Sequence, residues 1–312
     1  GLIVVGVAVF IGAYAQQFLF AITFNQQREL QPLPDLLLQP MVESALREDL
    51  GRAGDITSNS AVPADAKASV VMAARKPGTI AGLDLARLAF TTMDPSLVVE
   101  TLAQDGDIVK SGAVLMRITG SARAILSAER VALNFTSHLS GIATATAEMV
   151  AAVGTHKARI CCTRKTTPGL RAIEKYAVRA GGGANHRFGL DDGVLIKDNH
   201  IAIAGSVTNA IQNARAANGH MVKIEVEVDT LEQLADVLAL GVEAVLLDNM
   251  TNDDLAQAVA MTADRDTVLE ASGRMSLERI PSVAATGVDL ISVGGLTHST
   301  PILDIGLDFE SA

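Results

Sequence analysis

Eight lysines and arginines fall between Lys157 and Leu190: Lys157, Arg159, Arg164, Lys165, Arg171, Lys175, Arg179 and Arg187. Glu174 is the only acid in that stretch, so a chain of net charge -10 concentrates about +7 there. His186 adds a further cation when protonated. A focus of this kind draws small anions into a pocket. Guanidinium forks match carboxylates two hydrogen bonds at a time, so several arginines imply more than one carboxylate or phosphate. A solvated basic face is the ordinary explanation of a charge run. Arg171, Lys175 and Arg179, at i, i+4 spacing around Glu174, read as such a face. Arg164, Lys165 and Arg187 stand instead among glycines and a proline, in loops.

These residues belong to a wider pattern. From Ala158 onward, short apolar segments alternate with helical ones. The predicted strands are Arg159–Cys162, Val194–Ile196, Lys223–Val228, Ala244–Leu247, Val268–Ala271 and Leu290–Val293. Each runs directly into polar or glycine residues: Thr163-Arg164-Lys165, Lys197-Asp198-Asn199, Glu227, Asp248-Asn249, Ser272-Gly273 and Gly294-Gly295. Repeated β-α units imply a parallel sheet, and in a β/α barrel the strand C-termini converge on one mouth. The segment KIEVEVD (223–229) alternates charged and apolar residues. That suits a wall between packed helices and a polar lumen, or a solvent-exposed edge strand. Glu227 and Asp248 would repel anions directly. They suit sugar hydroxyls or a hard cation such as magnesium. Glycine pairs after late strands let backbone N–H groups approach a phosphate, although most such pairs only mark turns.

Upstream, Leu33–Gly51 reads as a helix, 67–82 as two strands around Pro-Gly, 98–119 as a strand pair, and Ser121–Val153 as one or two Ala-rich helices. DGDIVKSGAVLMRI (105–118) resembles half of a biotinyl/lipoyl-type sandwich but lacks the modifiable lysine flanked by two Met or Asp residues, so it reads as scaffold. Nearly half of the 312 residues are apolar, enough for a sizeable core. The negative net charge argues against nucleic-acid binding. Cys161 and Cys162 are adjacent, which supports neither a disulfide framework nor a zinc site. They read as buried strand residues in a reducing, cytoplasmic setting. Residues 1–27 carry no charge, and Leu2–Phe24 is long enough to span a bilayer. A membrane anchor and an extension unrelated to the enzyme both fit; Gln16 and Gln17 favour the second. His138 reads as packing or capping in its helix. His156, His200 and His298 lack metal-ligand spacing. No nucleophile elbow, P-loop or type I phosphoribosyl-binding loop occurs.

The run TRKTTPGLRAIEKYAVRAGGGANHRFGLDDGVLIKDNHI (163–201) resembles quinolinate phosphoribosyltransferase, or nicotinate-nucleotide pyrophosphorylase (carboxylating), of the type II phosphoribosyltransferases. The resemblance covers roughly residues 33–305, through EDLGRAGDIT, SAERVALNFTSHLSGIAT, EVEVDTLEQL, LLDNM, ASGRMSLERI and ISVGGLTHS. It implies an α/β fold: an N-terminal α/β-sandwich domain (31–140 with 297–312) and an incomplete parallel α/β barrel (141–296), after an apolar leader (1–30). It also implies a homodimer with shared active sites. The implied reaction joins quinolinate to phosphoribosyl pyrophosphate (PRPP) with Mg2+, releasing pyrophosphate and CO2, on the route to NAD.

By the same resemblance, Arg164, His186 and Arg187 hold the quinolinate carboxylates, with Thr163 beside them. Lys165 and Lys197 lie between quinolinate and PRPP. Arg130 reaches into the neighbouring subunit's site. Glu227 and Asp248 hold the ribose hydroxyls and the magnesium. Ser272, Gly273, Gly294 and Gly295 cradle the 5′-phosphate. Arg274 departs from the Gly or Asn of many relatives, leaving either a phosphate contact or an outward-pointing side chain. Three rivals remain: a same-fold relative associated with molybdenum transport, a barrel aldolase using Lys165 or Lys197 as a Schiff base, and a non-catalytic, membrane-tethered binding protein resting only on residues 1–27.

Overall fold

The computed structural model describes residues 30–310. From Leu33 onward the chain forms one compact unit. The apolar leader lies outside the described residues. Among those described, no helix is long and apolar enough to cross a membrane.

The chain enters through α1 (Asp35–Leu50), which buries Leu38, Val42 and Leu46. Gly51 ends it with a positive φ of 54°. The short α2 (Ile56–Ala61) follows, its N-terminus capped by Asp55, which accepts from Ser58 N at 2.9 Å. Then come β1 (Lys67–Ala74), β2 (Gly78–Thr79), α3 (Leu83–Met93), β3 (Val98–Thr101), β4 (Ile108–Val109) and β5 (Val114–Ser121). The expected strand pair over 98–119 is three strands, and α3 carried no expectation. Its N-terminus is held by the half-buried Asp105, which accepts from the N–H groups of Gly82 and Leu83 at 3.0 and 3.1 Å. That cap comes from residues well downstream, so local sequence does not announce it.

Residues 122–153 form a single helix, α4, of 32 residues. The division expected at residue 140 falls inside it. Small residues on α4 let two other backbones approach closely. A methyl on Gly141 would lie 2.2 Å from Pro301 O, and one on Gly181 would lie 2.3 Å from Ala143 O. Gly181→Ala is therefore expected to destabilise the fold by about 3 kcal/mol, since overpacking against backbone cannot be relieved by a rotamer change. Urea unfolding should show a lower midpoint at unchanged slope.

The β-α units follow: β6 (Arg159–Cys161), α5 (Arg171–Ala180), β7 (Val194–Ile196), α6 (Asp198–Ala204), α7 (Val207–Ala217), β8 (Ile224–Val228), α8 (Leu231–Ala239), β9 (Ala244–Asp248), α9 (Asn252–Met261), β10 (Val268–Ser272), α10 (Ile280–Ala284) and β11 (Leu290–Ser292). A 3₁₀ turn (Gly294–Thr297) leads to β12 (Ile305–Phe309). All six predicted strands are present. The expected helix over Ser276–Thr286 is shorter.

Two sheets matter for function. The first is antiparallel, in the order β12-β1-β5-β3, so the C-terminal strand returns to the N-terminal sheet. The second is parallel, in the order β6-β11-β10-β9-β8-β7. Its outer strands β6 and β7 do not pair with each other; β6 instead takes a bridge from Ala184. This is a barrel left open at one seam.

Register decides which side chains face inward. Glu227 pairs with Leu246, Leu246 with Glu270, and Asp248 with Ser272. Paired residues of a parallel sheet point to the same side. The opposite side carries Val226, Val245, Leu247, Leu269, Ala271 and Ile291, which form one buried cluster with the surrounding helices. Each such fully buried side chain contributes about 2 kcal/mol. The alternation in KIEVEVD is therefore a barrel wall, with Ile224, Val226 and Val228 buried and Glu225 and Glu227 on the lumen side.

Candidate active site

The parallel strands end on the expected residues. Thr163, Arg164 and Lys165 follow β6, Lys197 follows β7, and Glu227 lies within the last residues of β8. Asp248 closes β9, Ser272 closes β10, and Gly294 and Gly295 open the turn after β11. Parallel pairing brings these ends to one mouth.

Two adjoining groups emerge there. In the first, Lys165 N donates to Thr163 Oγ1 at 3.0 Å, and Thr297 Oγ1 donates to Lys165 O at 2.7 Å. A methyl on Gly294 would lie 3.0 Å from Lys165 Cδ and 3.6 Å from Thr163 Oγ1. Lys197 Nζ donates to Glu227 Oε2. Arg187 Nη1 donates to Gly193 O at 2.7 Å, which folds the Phe188–Asp192 loop beneath its guanidinium. Burial, then the adjacent Arg164 charge, draw the Arg187 pKa below its ordinary value. Like charges near enough to lower a pKa also favour an anion bound between them. Arg164 Nε is buried without a hydrogen-bond partner, a donor still to be satisfied.

The second group is the β9–β10 edge of the mouth. Asn249 has a φ of 54° and its Nδ2 donates to Asp248 Oδ2 at 2.6 Å. Gly273, at φ 94°, lies directly against Asn249. Arg279 staples the two loops, donating to Gly273 O at 2.9 Å and Met250 O at 3.0 Å. Arg274 is exposed with a φ of 43°, an uncommon conformation for an arginine.

Below the mouth lies a polar floor, of which only His186 was singled out from sequence. His186 Nε2 donates to Glu225 Oε2 at 2.9 Å and lies 3.7 Å from Glu270 Oε2. Cys161 Sγ donates to Glu270 at 3.7 Å, and Glu270 Oε1 has no hydrogen-bond partner. Burial, then the Glu225 charge, push Glu270 up to about 7. Burial opposes the imidazolium of His186, but the Glu225 hydrogen bond and the Glu270 and Glu225 charges outweigh it and raise its pKa. The one charge inside the apolar strand VLEAS was the available signal for Glu270.

A carboxyl whose folded pKa is raised stabilises the fold most below its unfolded pKa and loses that contribution as pH rises through about 7. Glu270→Gln is thus expected to raise Tm at pH 8 by about 5 °C, and to change it little at pH 5. Thermal unfolding at the two pH values checks this.

One expectation fails. Glu174 and Lys175 are not on a solvated face: both are buried. Glu174 accepts from His138 Nε2 at 3.0 Å and Thr167 N at 3.0 Å. Lys175 Nζ donates to His186 O at 2.9 Å and Cys162 Sγ at 3.0 Å. Helical spacing places side chains on one face; it does not say which face the next loop will cover. Arg179 is exposed, and Arg171 donates to Thr166 and Phe188 O. His138, read as packing or capping in its helix, bonds the buried Glu174 of α5, and the reading of the two cysteines as buried residues holds.

Arg130 lies on the exposed side of α4, and among the described residues no hydrogen bond or ion pair joins it to the mouth.

Comparison with known proteins separates this mouth from those of other barrels. The family model for the C-terminal domain of quinolinate phosphoribosyl transferase matches residues 142–308, and the N-terminal domain model matches 55–140. The chain belongs to the quinolinate phosphoribosyltransferase family. The nicotinate-nucleotide pyrophosphorylase (carboxylating) of Mycobacterium leprae is 48% identical over 272 residues, covering 86% of this chain and 95% of that protein. The probable enzyme of the same name from Bacillus subtilis is 44% identical over 273 residues, covering 88% and 93%. The crystal structure of NadC from Streptococcus pyogenes superposes with a TM-score of 0.85 at 40% identity, covering 90% of this chain and all of that one. The two-sheet architecture, with its open parallel barrel, is the quinolinate phosphoribosyltransferase fold.

Proposed function

We propose that this chain transfers the phosphoribosyl group of PRPP to the ring nitrogen of quinolinate. The products are nicotinate mononucleotide, pyrophosphate and CO2. The observation that carries this reading is the gathering of Arg164 and Arg187, near enough for one charge to lower the other's pKa, with Lys165 and Lys197 just after the ends of β6 and β7, over a lumen wall that carries Glu225 and Glu227. Such a pair matches a planar dicarboxylate better than a single anion.

The residues support the following course. Arg164 and Arg187 take the two carboxylates of quinolinate and orient its nitrogen toward C1 of the ribose. Lys165 and Lys197 stand where the two polyanions meet and offset their repulsion. Glu227 and Asp248 receive the ribose hydroxyls, and Ser272, Gly273, Gly294 and Gly295 bring backbone N–H groups to the 5′-phosphate. As the C1–O bond to pyrophosphate breaks, positive charge grows on the sugar, and the nitrogen lone pair forms the new bond. The resulting pyridinium then accepts the electron pair of the C2–carboxylate bond as CO2 leaves, and a proton replaces it at C2. The protein supplies proximity and fixed charge, not a nucleophile. Lys197 is engaged in an ion pair with Glu227, a partner that a Schiff-base aldolase would have to give up.

Magnesium fits this site. Glu227 and Asp248 offer hard oxygen donors on neighbouring strands, suited to an ion shared with substrate phosphate. Each has one oxygen bonded within the protein, by Lys197 or Asn249, and no second such bond occurs among the described residues. When bound, the ion supplies counter-charge to the departing pyrophosphate.

The exposed position of Arg130 fits a residue that completes a second subunit's site in a homodimer. In hybrid dimers, Arg130→Ala subunits mixed with Lys165→Ala subunits are expected to recover about a quarter of parental activity, as random pairing leaves one intact site in half the dimers. No recovery argues against a shared site. The proposed setting is cytoplasmic.

The deciding experiment incubates the purified chain with quinolinate, PRPP and Mg2+, following nicotinate mononucleotide by chromatography and CO2 from carboxyl-labelled quinolinate. Both products should appear, and EDTA should suppress them. Absence of turnover with quinolinate, in a folded preparation, would overturn the proposal.

A further inference from the structure

We propose that Glu225 is a positioning residue for the quinolinate half of the site, acting through the ring of His186 on the backbone of Arg187. The role rests on the reading above for its substrate, but not for its geometry.

His186 is held from both sides. Its Nε2 donates to Glu225 Oε2 at 2.9 Å, and its Nδ1 accepts from Arg187 N at 2.8 Å. Its backbone carbonyl is held by Lys175 Nζ at 2.9 Å. These three bonds leave the ring little freedom. They also select a tautomer. The nearby carboxylates favour the imidazolium, but a protonated Nδ1 would face the Arg187 N–H donor to donor. The Arg187 N–H, aimed at Nδ1 as an acceptor, favours the ring proton on Nε2, directed at Glu225. His186 then has no N–H left for a substrate carboxylate. Its effect on the dicarboxylate passes through Arg187, whose backbone it anchors and whose guanidinium reaches Gly193 O.

Glu225 suits this task by its place in the barrel. It lies on the lumen side of β8, one pleat below Glu227, on a strand buried on its other face. Such a position is rigid, which a second layer of support requires. The groups that face this carboxylate are His186 from the loop after α5, Glu270 from β10 and Cys161 from β6, with the Arg187 charge also within its range; Lys175 from α5 lies beyond the ring. No arginine or lysine pairs with Glu225 among the described residues, so its hydrogen-bond partner there is the imidazole. That a buried-side acceptor is spent on a histidine which itself bonds the Arg187 backbone is the juxtaposition that assigns the role.

The test uses Glu225→Ala, Glu225→Gln and the parent chain. Glutamine keeps an acceptor for Nε2–H; alanine does not. In Glu225→Ala the KM for quinolinate is expected to rise about tenfold, the worth of one hydrogen bond and its alignment, while the KM for PRPP stays within about twofold. Glu225→Gln should restore the quinolinate KM to within about threefold of the parent. Nitrogen-15 NMR of labelled histidine supplies a readout that needs no substrate. The parent should show His186 protonated at Nε2 alone at pH 7.5, and Glu225→Ala should lose that tautomer preference. Equal rises in both KM values, failure of glutamine to rescue, or an unchanged tautomer in Glu225→Ala would each overturn the role. Should the parent fail to turn over quinolinate, the function reading falls, and the tautomer measurement alone decides whether Glu225 orients His186.

Discussion

Arg187→Ala is expected to lower kcat/KM for quinolinate by about a thousandfold. A guanidinium meeting a carboxylate through two charge-assisted hydrogen bonds contributes about 4 kcal/mol, and the loss falls on the reactant that must be oriented. Arg164→Ala is expected to cost a similar factor, and the double variant less than the product of the two, because both forks grip one small molecule. The fold should not suffer. The Arg164 charge helps lower the Arg187 pKa, so removing either guanidinium relieves that repulsion. Thermal unfolding should show a Tm equal to or above the parent's, alongside the collapse in steady-state kinetics. Arg187→Lys separates charge from shape: a lysine keeps the charge but loses the fork, and most of the loss should remain. Activity within tenfold of the parent for both alanine variants would remove the arginine pair from the site.

Gly273→Ala is expected to raise the KM for PRPP by about a hundredfold, through backbone geometry alone. Gly273 has a φ of 94°, and a methyl there would lie 2.2 Å from Asn249 Oδ1 and 3.0 Å from Asn249 N. Strain of this kind costs about 2–3 kcal/mol. Asn249 cannot yield freely, because its side chain holds Asp248 at 2.6 Å and Arg279 fixes both loops. The displacement therefore reaches Asp248, a proposed ribose and magnesium residue, as well as the 5′-phosphate loop. Substituting Asn249 by glycine in the same chain frees the space the methyl needs and should recover part of the PRPP affinity. The KM for quinolinate should change less, since the arginine pair follows β6 and β7's flanking loops, not β9 and β10. An unchanged PRPP KM would mean that this loop does not line the phosphate site.

Much of the architecture was legible in local pattern. The six parallel strands, the alternation of KIEVEVD and the polar residues at each strand end all follow from periodicity and from which residues interrupt apolar runs, while the pairing of β8 between β7 and β9 decided that the acids face a lumen. The failures share a cause. Arg171, Lys175 and Arg179 have the spacing of a surface face, yet Lys175 is inside, because the loop through His186 folds over it and offers a carbonyl. The helix Leu83–Met93 was not expected, because the carboxylate that caps it arrives from Asp105, beyond the next strand.

The kinds of group in the mouth, the parallel order of the strands and the membership of the family were determined by the sequence itself. Periodicity says which side of an element is apolar, and residue type says what the other side can bind. The partners of those groups were decided by the tertiary structure: Arg164 beside Arg187, Lys197 against Glu227, and His186 between Glu225 and the Arg187 backbone. Hydrogen bonds and charge pairs act over a few ångströms, and only closing the sheet brings residues tens of positions apart within that range.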